Sequence, residues 1–205
     1  MNPELAALVV HDLKNELGAL EAALERSIHQ PSAEAARQNH AQCAELRQHF
    51  VQFLTLYGQP GGLRILASDE SPTAVLEAAA HRAALAYPEL RVHVEPDGQA
   101  PPYWYFDPRL VRMALDAALH NAGRFARTAI RLQALASDGY LVLRVDDDGP
   151  GPDPAAHDPG ATYATGLGSS LCQAVAEAHI CGDRKGHSSL GFRPGGGARF
   201  ELWLA

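Results

Sequence analysis

Two short stretches of this chain combine polar and charged residue types that could carry chemistry. Between residues 7 and 24, His11 and Asp12 lie side by side in the middle of a leucine-rich segment. Farther along, the carboxamide of Asn121 could ligate a hydrated cation, and the guanidinium of Arg124, one helical turn later, could bind phosphate. Each pair alone is a weak signal, because polar residues also cover the solvated faces of helices.

Two pairs of glycines accompany further candidate residues in the C-terminal half. In VDDDGPGPD, Asp147 belongs to a run of carboxylates before Gly149 and Gly151, so the backbone could turn sharply there and admit a planar ligand. In ATGLGSSLCQAVAEAH, Gly166 and Gly168 precede a predicted helix, whose free N–H groups and dipole favour a phosphate. Either pair could equally be an ordinary loop or helix start.

Composition and charge exclude several classes of partner. The chain has 205 residues, 46% of them hydrophobic, and its 24 acidic and 17 basic side chains give a formal net charge of -7. That charge repels the backbone of nucleic acids and anionic lipid. Short, interrupted apolar runs and the start MNPEL predict no membrane insertion and a cytoplasmic location. The scattered cysteines Cys43, Cys172 and Cys181 predict reduced thiols.

The N-terminal part has the apolar periodicity of two helices, predicted over 3–29 and 32–57 with a helix start at Pro31 and Ser32. Each helix should carry one apolar stripe: Leu5, Val9, Leu13, Leu17, Leu20, Leu24 and Ile28 on the first, and Cys43, Leu46, Phe50, Phe53, Leu54 and Tyr57 on the second. A single hairpin buries both stripes poorly, whereas two copies form a closed four-helix bundle, so we expect a homodimer through the hairpin. His11 points about 200° away from Leu13, toward solvent, at 100° per residue.

The glycines and proline of GQPGG end the second helix and mark a linker. We therefore expect two domains, 1–58 and 63–205. The second should contain strands at 63–67, 90–95, 103–106, 129–136, 140–147, 187–192 and 198–204, and helices at 71–87, 107–126 and 166–179. This pattern predicts an α+β chain, in which an antiparallel helical hairpin is followed by a mixed α/β sandwich of one sheet with helices on one face.

Taken in order, these stretches resemble the sequence boxes of the histidine kinases, the branch of the GHKL (Bergerat-type) ATPase superfamily that has a helical hairpin in front. HDLKN resembles the phosphoacceptor box, FDPRLVRMALDAALHNAGRFA the N box, DDGPG and TGLGSSLCQAVAEAH the two glycine boxes, and GGGARFELWL the closing strand. The resemblance implies a dimerisation and histidine phosphotransfer hairpin and a GHKL-type ATP-binding domain.

The resemblance also implies roles for single residues. His11 matches the phosphorylated histidine, Asp12 the acid that polarises its imidazole, and Asn15 the position that orients water for regulator dephosphorylation in one subfamily. In the second domain, Asn121 matches the Mg²⁺ ligand, Arg124 the basic residue that meets phosphate, Asp147 the acceptor of the adenine amino group, and Gly149, Gly151, Gly166 and Gly168 the glycines that line the lid and phosphates.

Three features depart from the family pattern. Ala117 stands where many N boxes have a further asparagine. Glu16 replaces the proline that usually follows the acceptor box, so no kink is expected there. The stretch from Pro152 to Thr165 is short for an ATP lid.

The function implied is that of a protein-histidine kinase. It would use ATP and Mg²⁺ to phosphorylate His11 and pass the phosphoryl group to an aspartate of a response regulator receiver domain, and Asn15 implies a regulator phosphatase activity as well. One alternative is a histidine phosphotransfer protein with a degenerate ATPase-like domain that does not use ATP; a regulatory serine kinase of the same superfamily would not need the hairpin. The sensory input is expected from another protein or from a longer chain of which this is a part.

A separate group, His179, Cys181, Asp183 and His187, has the residue types of metal ligands within a short span. The group coincides with the turn and strand that follow the last helix of the resemblance. We therefore expect no metal site there.

Overall fold

The structure of the protein is a computed structural model that describes residues 3–58, 63–95, 100–152 and 166–205. The chain forms two compact units, a helical hairpin and an α/β unit that begins at Leu63. None of the helices in these described ranges has the length and apolarity that a membrane crossing requires.

The N-terminal unit is an antiparallel pair of helices, α1 (Pro3–His29) and α2 (Ala33–Tyr57), as the apolar periodicity predicts. Ser32 caps α2, because its side-chain oxygen accepts a hydrogen bond of 3.0 Å from the N–H of Ala35. The two helices pack through a seam that contains the buried side chains of Val9, Leu13, Leu20 and Leu46.

Burial divides the apolar surface of α1 into two sectors. Leu13 and Leu24 lie only about 20° apart at 100° per residue, yet Leu13 is 2% exposed and Leu24 is 47% exposed. The exposed sector, called the outer sector here, consists of Val10, Leu17, Leu24 and Ile28 on α1 with Phe50, Val51 and Leu54 on α2. The stripes are therefore only partly buried in one hairpin, in agreement with the expectation that a single hairpin buries them poorly, and Cys43 is likewise exposed. The side chain of Leu5 lies outside the described part of the chain.

The described α/β unit contains helices α3 (Pro72–Ala86), α4 (Pro108–Phe125) and α5 (Leu167–Ala178). Its strands are β1 (Ser68–Glu70), β2 (Arg91–Val94), β3 (Trp104–Phe106), β4 (Ala129–Ser137), β5 (Tyr140–Asp147), β6 (Ile180–Cys181), β7 (Arg184–Lys185), β8 (His187–Phe192) and β9 (Ala198–Leu204).

The main sheet has five strands in the order β2-β4-β5-β9-β8. It is a mixed sheet, because β2 runs parallel to β4 while the other neighbours are antiparallel. Two further ribbons, β1 with β3 and β6 with β7, are separate from it. The expectation of one sheet is therefore incomplete, since these short strands pair only with each other in the described residues.

The strand predicted at 63–67 is wrong. These residues form no strand, and β1 begins at Ser68, where it pairs with Phe106. The N–H of Leu66 donates to Oδ2 of Asp107 at 2.7 Å. That N–H is therefore used by a buried carboxylate and not by a strand ladder.

Burial alternates along the two central strands and places the core on one face of the sheet. Ile130, Leu132 and Ala134 of β4 and alternate residues of β5 from Leu141 are buried, together with the apolar face of α4. The opposite face carries a polar row in register: Arg144 donates to Glu201 at 2.7 Å and to Gln133 at 3.0 Å. The helices therefore cover the buried face, as expected for an α/β sandwich.

Candidate functional site

The first candidate group lies on the exposed surface of α1. The side chain of His11 is 65% exposed, so the histidine faces solvent as its helical position predicts. Its Nδ1 lies 3.3 Å from Oδ1 of Asp12 and 3.3 Å from Nδ2 of Asn15. Nε2 makes no hydrogen bond to the described residues. The three predicted residues therefore meet at one ring nitrogen and leave the other open.

The partner at Nδ1 decides which nitrogen of His11 can act as a nucleophile. A carboxylate can only accept, so the contact with Asp12 requires a proton on Nδ1. The amide nitrogen of Asn15 can only donate and would need a lone pair on Nδ1, so a neutral ring satisfies one contact at a time. With the proton on Nδ1 toward Asp12, Nε2 carries its lone pair outward. Asp12 thereby favours the tautomer in which Nε2 is nucleophilic.

Helix α4, which carries Asn121 and Arg124, is fixed at its start by Asp107. The buried carboxylate accepts hydrogen bonds from the N–H groups of Arg109 and Leu110 at 3.0 and 3.3 Å, and Pro108 fits the first helical turn. Burial would raise the pKa of Asp107, but the hydrogen bonds from the Arg109 side chain and from backbone N–H groups hold it below its usual range. The cap is therefore ionised and holds the helix end rigidly.

His179 connects the start of α4 to the end of α5. Its Nε2 accepts from the N–H of Asp107 at 3.0 Å, and its Nδ1–H donates to the carbonyl of Val175 at 2.7 Å. Burial lowers the pKa of His179, although the Val175 carbonyl and the charge of Asp107 act in the opposite direction. Both ring nitrogens are thus engaged in a structural contact. No group of three or more His, Cys, Asp or Glu side chains in the described ranges is arranged to hold a metal ion.

The run of three carboxylates at the end of β5 has three different environments. Asp146 forms a two-point ion pair with Arg199 on the open face of the sheet, at 2.8 and 2.6 Å. Asp148 accepts from the backbone N–H groups of residues 127–129 and from the hydroxyl of Thr128. These hydrogen bonds outweigh the effect of burial and hold the pKa of Asp148 far below its usual range. Both acids are therefore committed to structure.

Asp147 is the carboxylate that keeps an oxygen available. It is 6% exposed, and its Oδ1 accepts from the N–H groups of Gly149 and Ala198 at 2.8 and 3.2 Å. Its Oδ2 makes no hydrogen bond to the described residues. A carboxylate oxygen without a protein partner, on a residue that is otherwise buried, is suited to bind a ligand donor such as an amino group.

The two glycines after Asp147 are required by their surroundings. A Cβ on Gly149 would lie 2.3 Å from the carbonyl oxygen of Phe125, at the end of α4. Gly151 has φ +87°, and a Cβ there would lie 2.6 Å from the ring of Phe192. The turn from Asp147 to Gly151 therefore packs on the end of α4 at Gly149 and on Phe192 of β8 at Gly151.

Helix α4 also meets the start of α5. A Cβ on Gly168 would lie 3.8 Å from the Cβ of Ala117, which is ordinary van der Waals contact. Ala117, the position that departs from the N box, is buried at this contact. Gly166 precedes α5 with φ +64° and open space around it. Gly168 thus allows close packing of the two helices, and Gly166 supplies the turn before α5.

Asn121 lies on α4 between these two contacts. It follows Ala117, which meets Gly168, by one turn and precedes Phe125, whose carbonyl meets Gly149, by one turn. It is exposed and makes no hydrogen bond to the described residues. The nearby guanidinium of Arg124 lies 5.6 Å from the ring centroid of Phe125. The packing of α4 therefore brings Asn121 between the start of α5 and the Asp147–Gly151 turn.

Residue-by-residue reasoning missed one candidate in this group. Phe125 is 55% exposed at the end of α4, beside Arg124, and its backbone carbonyl packs on Gly149. An exposed aromatic ring at the rim of a site with an open carboxylate is a surface on which a planar ligand can stack. The available signal was an aromatic residue directly after the basic residue of the N box.

Two other regions add no described residue to this site. Beyond Pro152, the stretch interpreted as a short lid lies outside the described residues. A hollow of about 160 Å³ lies elsewhere, between α3, β2 and β4, lined by residues that include Thr73, Leu76 and Glu95. It contains none of the candidate residues, and we do not assign it to the site.

The comparison with protein families gives a match over the part of the chain that contains Asn121, Arg124, Asp147 and the four glycines of the candidate site. Residues 106–205 match the family described as histidine kinase-, DNA gyrase B-, and HSP90-like ATPase. The sensor protein kinase CarS of Pseudomonas aeruginosa is 30% identical over 95% of this chain. The chain spans 44% of the length of that curated relative.

Solved structures of histidine kinases are similar to this chain in fold. The histidine kinase AdeS of Acinetobacter baumannii superposes with a TM-score of 0.68, at 16% identity, over 95% of this chain and 97% of its own. The ATP binding domain of PrrB from Mycobacterium tuberculosis has a TM-score of 0.50 at 29% identity, covering 68% of this chain and 96% of its own. In its helical hairpin and its GHKL-type ATPase fold the chain is therefore similar to the two-component sensor histidine kinases, and residues 106–205 form a domain of the histidine kinase-, DNA gyrase B-, and HSP90-like ATPase family.

Proposed function

We propose that this protein is an ATP-dependent protein-histidine kinase that phosphorylates His11 and passes the phosphoryl group to an aspartate of a response regulator receiver domain. In this proposal residues 1–58 form the dimerisation and phosphotransfer domain, and residues 63–205 form the ATP-binding domain. The observation that carries it is the geometry at His11, an exposed imidazole whose Nδ1 is 3.3 Å from Asp12 and whose Nε2 faces outward.

The chemistry at His11 follows from the tautomer that Asp12 favours. The lone pair of Nε2 attacks the γ-phosphorus of ATP, and the Nε2–P bond forms as the bond from that phosphorus to the β–γ bridging oxygen breaks. ADP leaves with the electron pair of the broken bond. The positive charge that develops on the ring is balanced by the carboxylate of Asp12 at Nδ1–H. Catalysis is therefore largely positional and electrostatic.

The proposed nucleotide contacts come from the surfaces that meet on α4. Oδ2 of Asp147 accepts a hydrogen bond from the adenine amino group, and the ring of Phe125 stacks on the base. Arg124 and the start of α5 at Gly166 and Gly168 face the phosphates.

The donor set also fits Mg²⁺. The amide oxygen of Asn121 is exposed and uncommitted among the described residues, and one such oxygen together with phosphate oxygens and water is a usual ligand set for this ion. The ion would neutralise phosphate charge.

The hairpin supports two further parts of the proposal. The outer sector leaves seven large apolar side chains exposed in a single chain, which a second copy would cover by forming a four-helix bundle. The side-chain amide of Asn15 lies beside the imidazole, where it could orient a water molecule toward a phosphorylated regulator. We therefore propose a homodimer with both kinase and regulator phosphatase activity.

The identity of the phosphoryl donor tests the proposal against a phosphotransfer protein that does not use ATP. Incubation with γ-labelled Mg·ATP should label His11 in an acid-labile, alkali-stable form, and His11→Gln should remove the label without unfolding the hairpin. Asp12→Asn should slow labelling but keep the acceptor. Label that appears only with a phosphorylated regulator as donor would refute kinase activity, and label that persists in the glutamine variant would place the acceptor elsewhere.

A further inference from the structure

A carboxylate and an imidazole face each other across the seam between the two helices of the hairpin. Nδ1 of His49 on α2 lies 2.9 Å from Oε2 and 3.2 Å from Oε1 of Glu16 on α1. Their side chains are only 12% and 16% exposed. The Nδ1–H of His49 therefore donates to a carboxylate that has little contact with water.

The surroundings of this pair are apolar. On α1 Glu16 lies between Leu13 and Leu20, and on α2 His49 follows Leu46 by one turn; all three leucines are buried in the seam. A second polar contact crosses the seam nearer the loop, where Asn39 donates to Ser27 at 2.8 Å. The Glu16–His49 pair is the one next to the phosphoacceptor group.

Stability alone does not explain a pair of ionisable groups in this position. The cost of removing two such groups from water commonly cancels their attraction, and apolar residues of similar volume stabilise a seam as well or better. Losing one partner is more damaging, because the other is left buried without its hydrogen bond.

We infer that Glu16 and His49 are positioning residues that fix the rotation of α1 about its own axis, and with it the direction in which His11 and Asn15 point. This inference rests on the proposed kinase function. Glu16 is adjacent to Asn15, one turn after Asp12, and about 140° around the helix from His11 at 100° per residue. A contact to α2 on the inner side of the helix therefore holds the chemical groups on the outer side.

The geometry sets the size of the expected effect. A side-chain atom about 5–6 Å from the helix axis moves by about 1 Å when the helix rotates by roughly 10°. A misplacement of about 1 Å can cost roughly 100-fold in rate. We expect at least a tenfold change in the labelling of His11, and a change in its ratio to regulator dephosphorylation, when the pair is lost.

The double variant Glu16→Leu/His49→Leu separates positioning from stability. It replaces the pair with apolar side chains, so the melting temperature and the dimer should be kept while the labelling rate falls at least tenfold. The matched control is Ser27→Ala/Asn39→Ala, which removes the other polar contact of the seam and should leave the rate within about twofold. A folded Leu/Leu variant with an unchanged rate and ratio would overturn the inference.

A second pair of variants covers the case in which the Leu/Leu protein does not fold. In His49→Asn the side-chain amide can occupy the place of Nδ1–H and donate to Glu16, so labelling should stay near the wild-type rate. His49→Ala removes the donor and should slow labelling. Equal rates in the two variants would contradict the inference.

Failure of the proposed kinase function and failure of the positioning role give different experimental results. If ATP does not label the wild-type protein, kinase activity fails on its own. The positioning role is then decided by the imidazole NMR resonances of His11, which the Leu/Leu variant should shift and the Ser27→Ala/Asn39→Ala control should not. Unshifted resonances in the Leu/Leu variant would refute positioning.

Discussion

Replacing His179 should weaken the α/β unit by an amount that depends on whether the new side chain can accept a hydrogen bond from the N–H of Asp107. His179→Ala leaves the buried N–H of Asp107 without its acceptor, which costs about 1–3 kcal/mol. The lost packing of the ring brings the total to about 3–5 kcal/mol. In His179→Gln the amide oxygen can replace Nε2 as the acceptor for Asp107, so only the contact to Val175 is lost and the cost should be about 1–2 kcal/mol.

Tryptophan fluorescence measures this effect selectively, because both tryptophans of the chain, Trp104 and Trp203, lie in the α/β unit. Thermal or urea unfolding followed by this signal should give the order wild type, His179→Gln, His179→Ala in decreasing stability. Equal losses in the two variants would refute the assigned acceptor role of Nε2. An alanine variant as stable as wild type would refute the structural role altogether.

The same residue predicts a pH dependence. Burial lowers the pKa of His179 in the folded protein, so the unfolded chain binds the proton more tightly. The free energy of unfolding therefore falls as pH falls below the ordinary histidine value of about 6.5, down to the lowered pKa of the folded state, and this contribution is complete above about 6.5. The slope is at most about 1.4 kcal/mol per pH unit for one proton. His179→Gln should lack this component, and an identical slope in both proteins would contradict it.

Three further predictions follow from single features. Asp147→Asn should raise the calorimetric Kd for Mg·ATP about tenfold or more, because the amide nitrogen would meet the adenine amino group donor to donor; an unchanged Kd would make Asp147 a structural acid. Asp148→Ala should lower the stability of the α/β unit by about 1–3 kcal/mol in the fluorescence assay, since the N–H groups of residues 127–129 lose their shared acceptor; full stability would argue against that role. Leu17→Glu/Leu24→Glu should convert the proposed dimer into a monomer in light scattering, whereas a dimer that persists would show that the outer sector is not the interface.

Local features of the sequence were sufficient to predict the elements that position the site. The apolar repeats predicted α1 and α2, and Ser32 predicted the start of α2, because periodicity and capping depend on residues within one or two turns. The exposure of His11 followed from the same periodicity. The order of the sequence boxes indicated the family, since those boxes are short contiguous stretches of chain.

Contacts between distant parts of the chain decided what the sequence left open. Three successive aspartates are alike in sequence, yet Asp146 pairs with β9, Asp148 holds the start of β4, and Asp147 keeps a free oxygen. Residues 63–67 have strand-like composition, but the N–H of Leu66 is taken by Asp107, 41 positions away. Each of these outcomes depends on which backbone groups a side chain meets after folding.

The hairpin shows the same division within a single helix. Periodicity places Leu13 and Leu24 in one apolar stripe, but only packing against α2 buries the first and leaves the second exposed. Glu16 and His49, 33 positions apart, carry no local signal that they form a pair. A sequence pattern records which way a side chain points from its own helix. What that side chain meets is set by the neighbouring element, and that is fixed only when the whole chain packs.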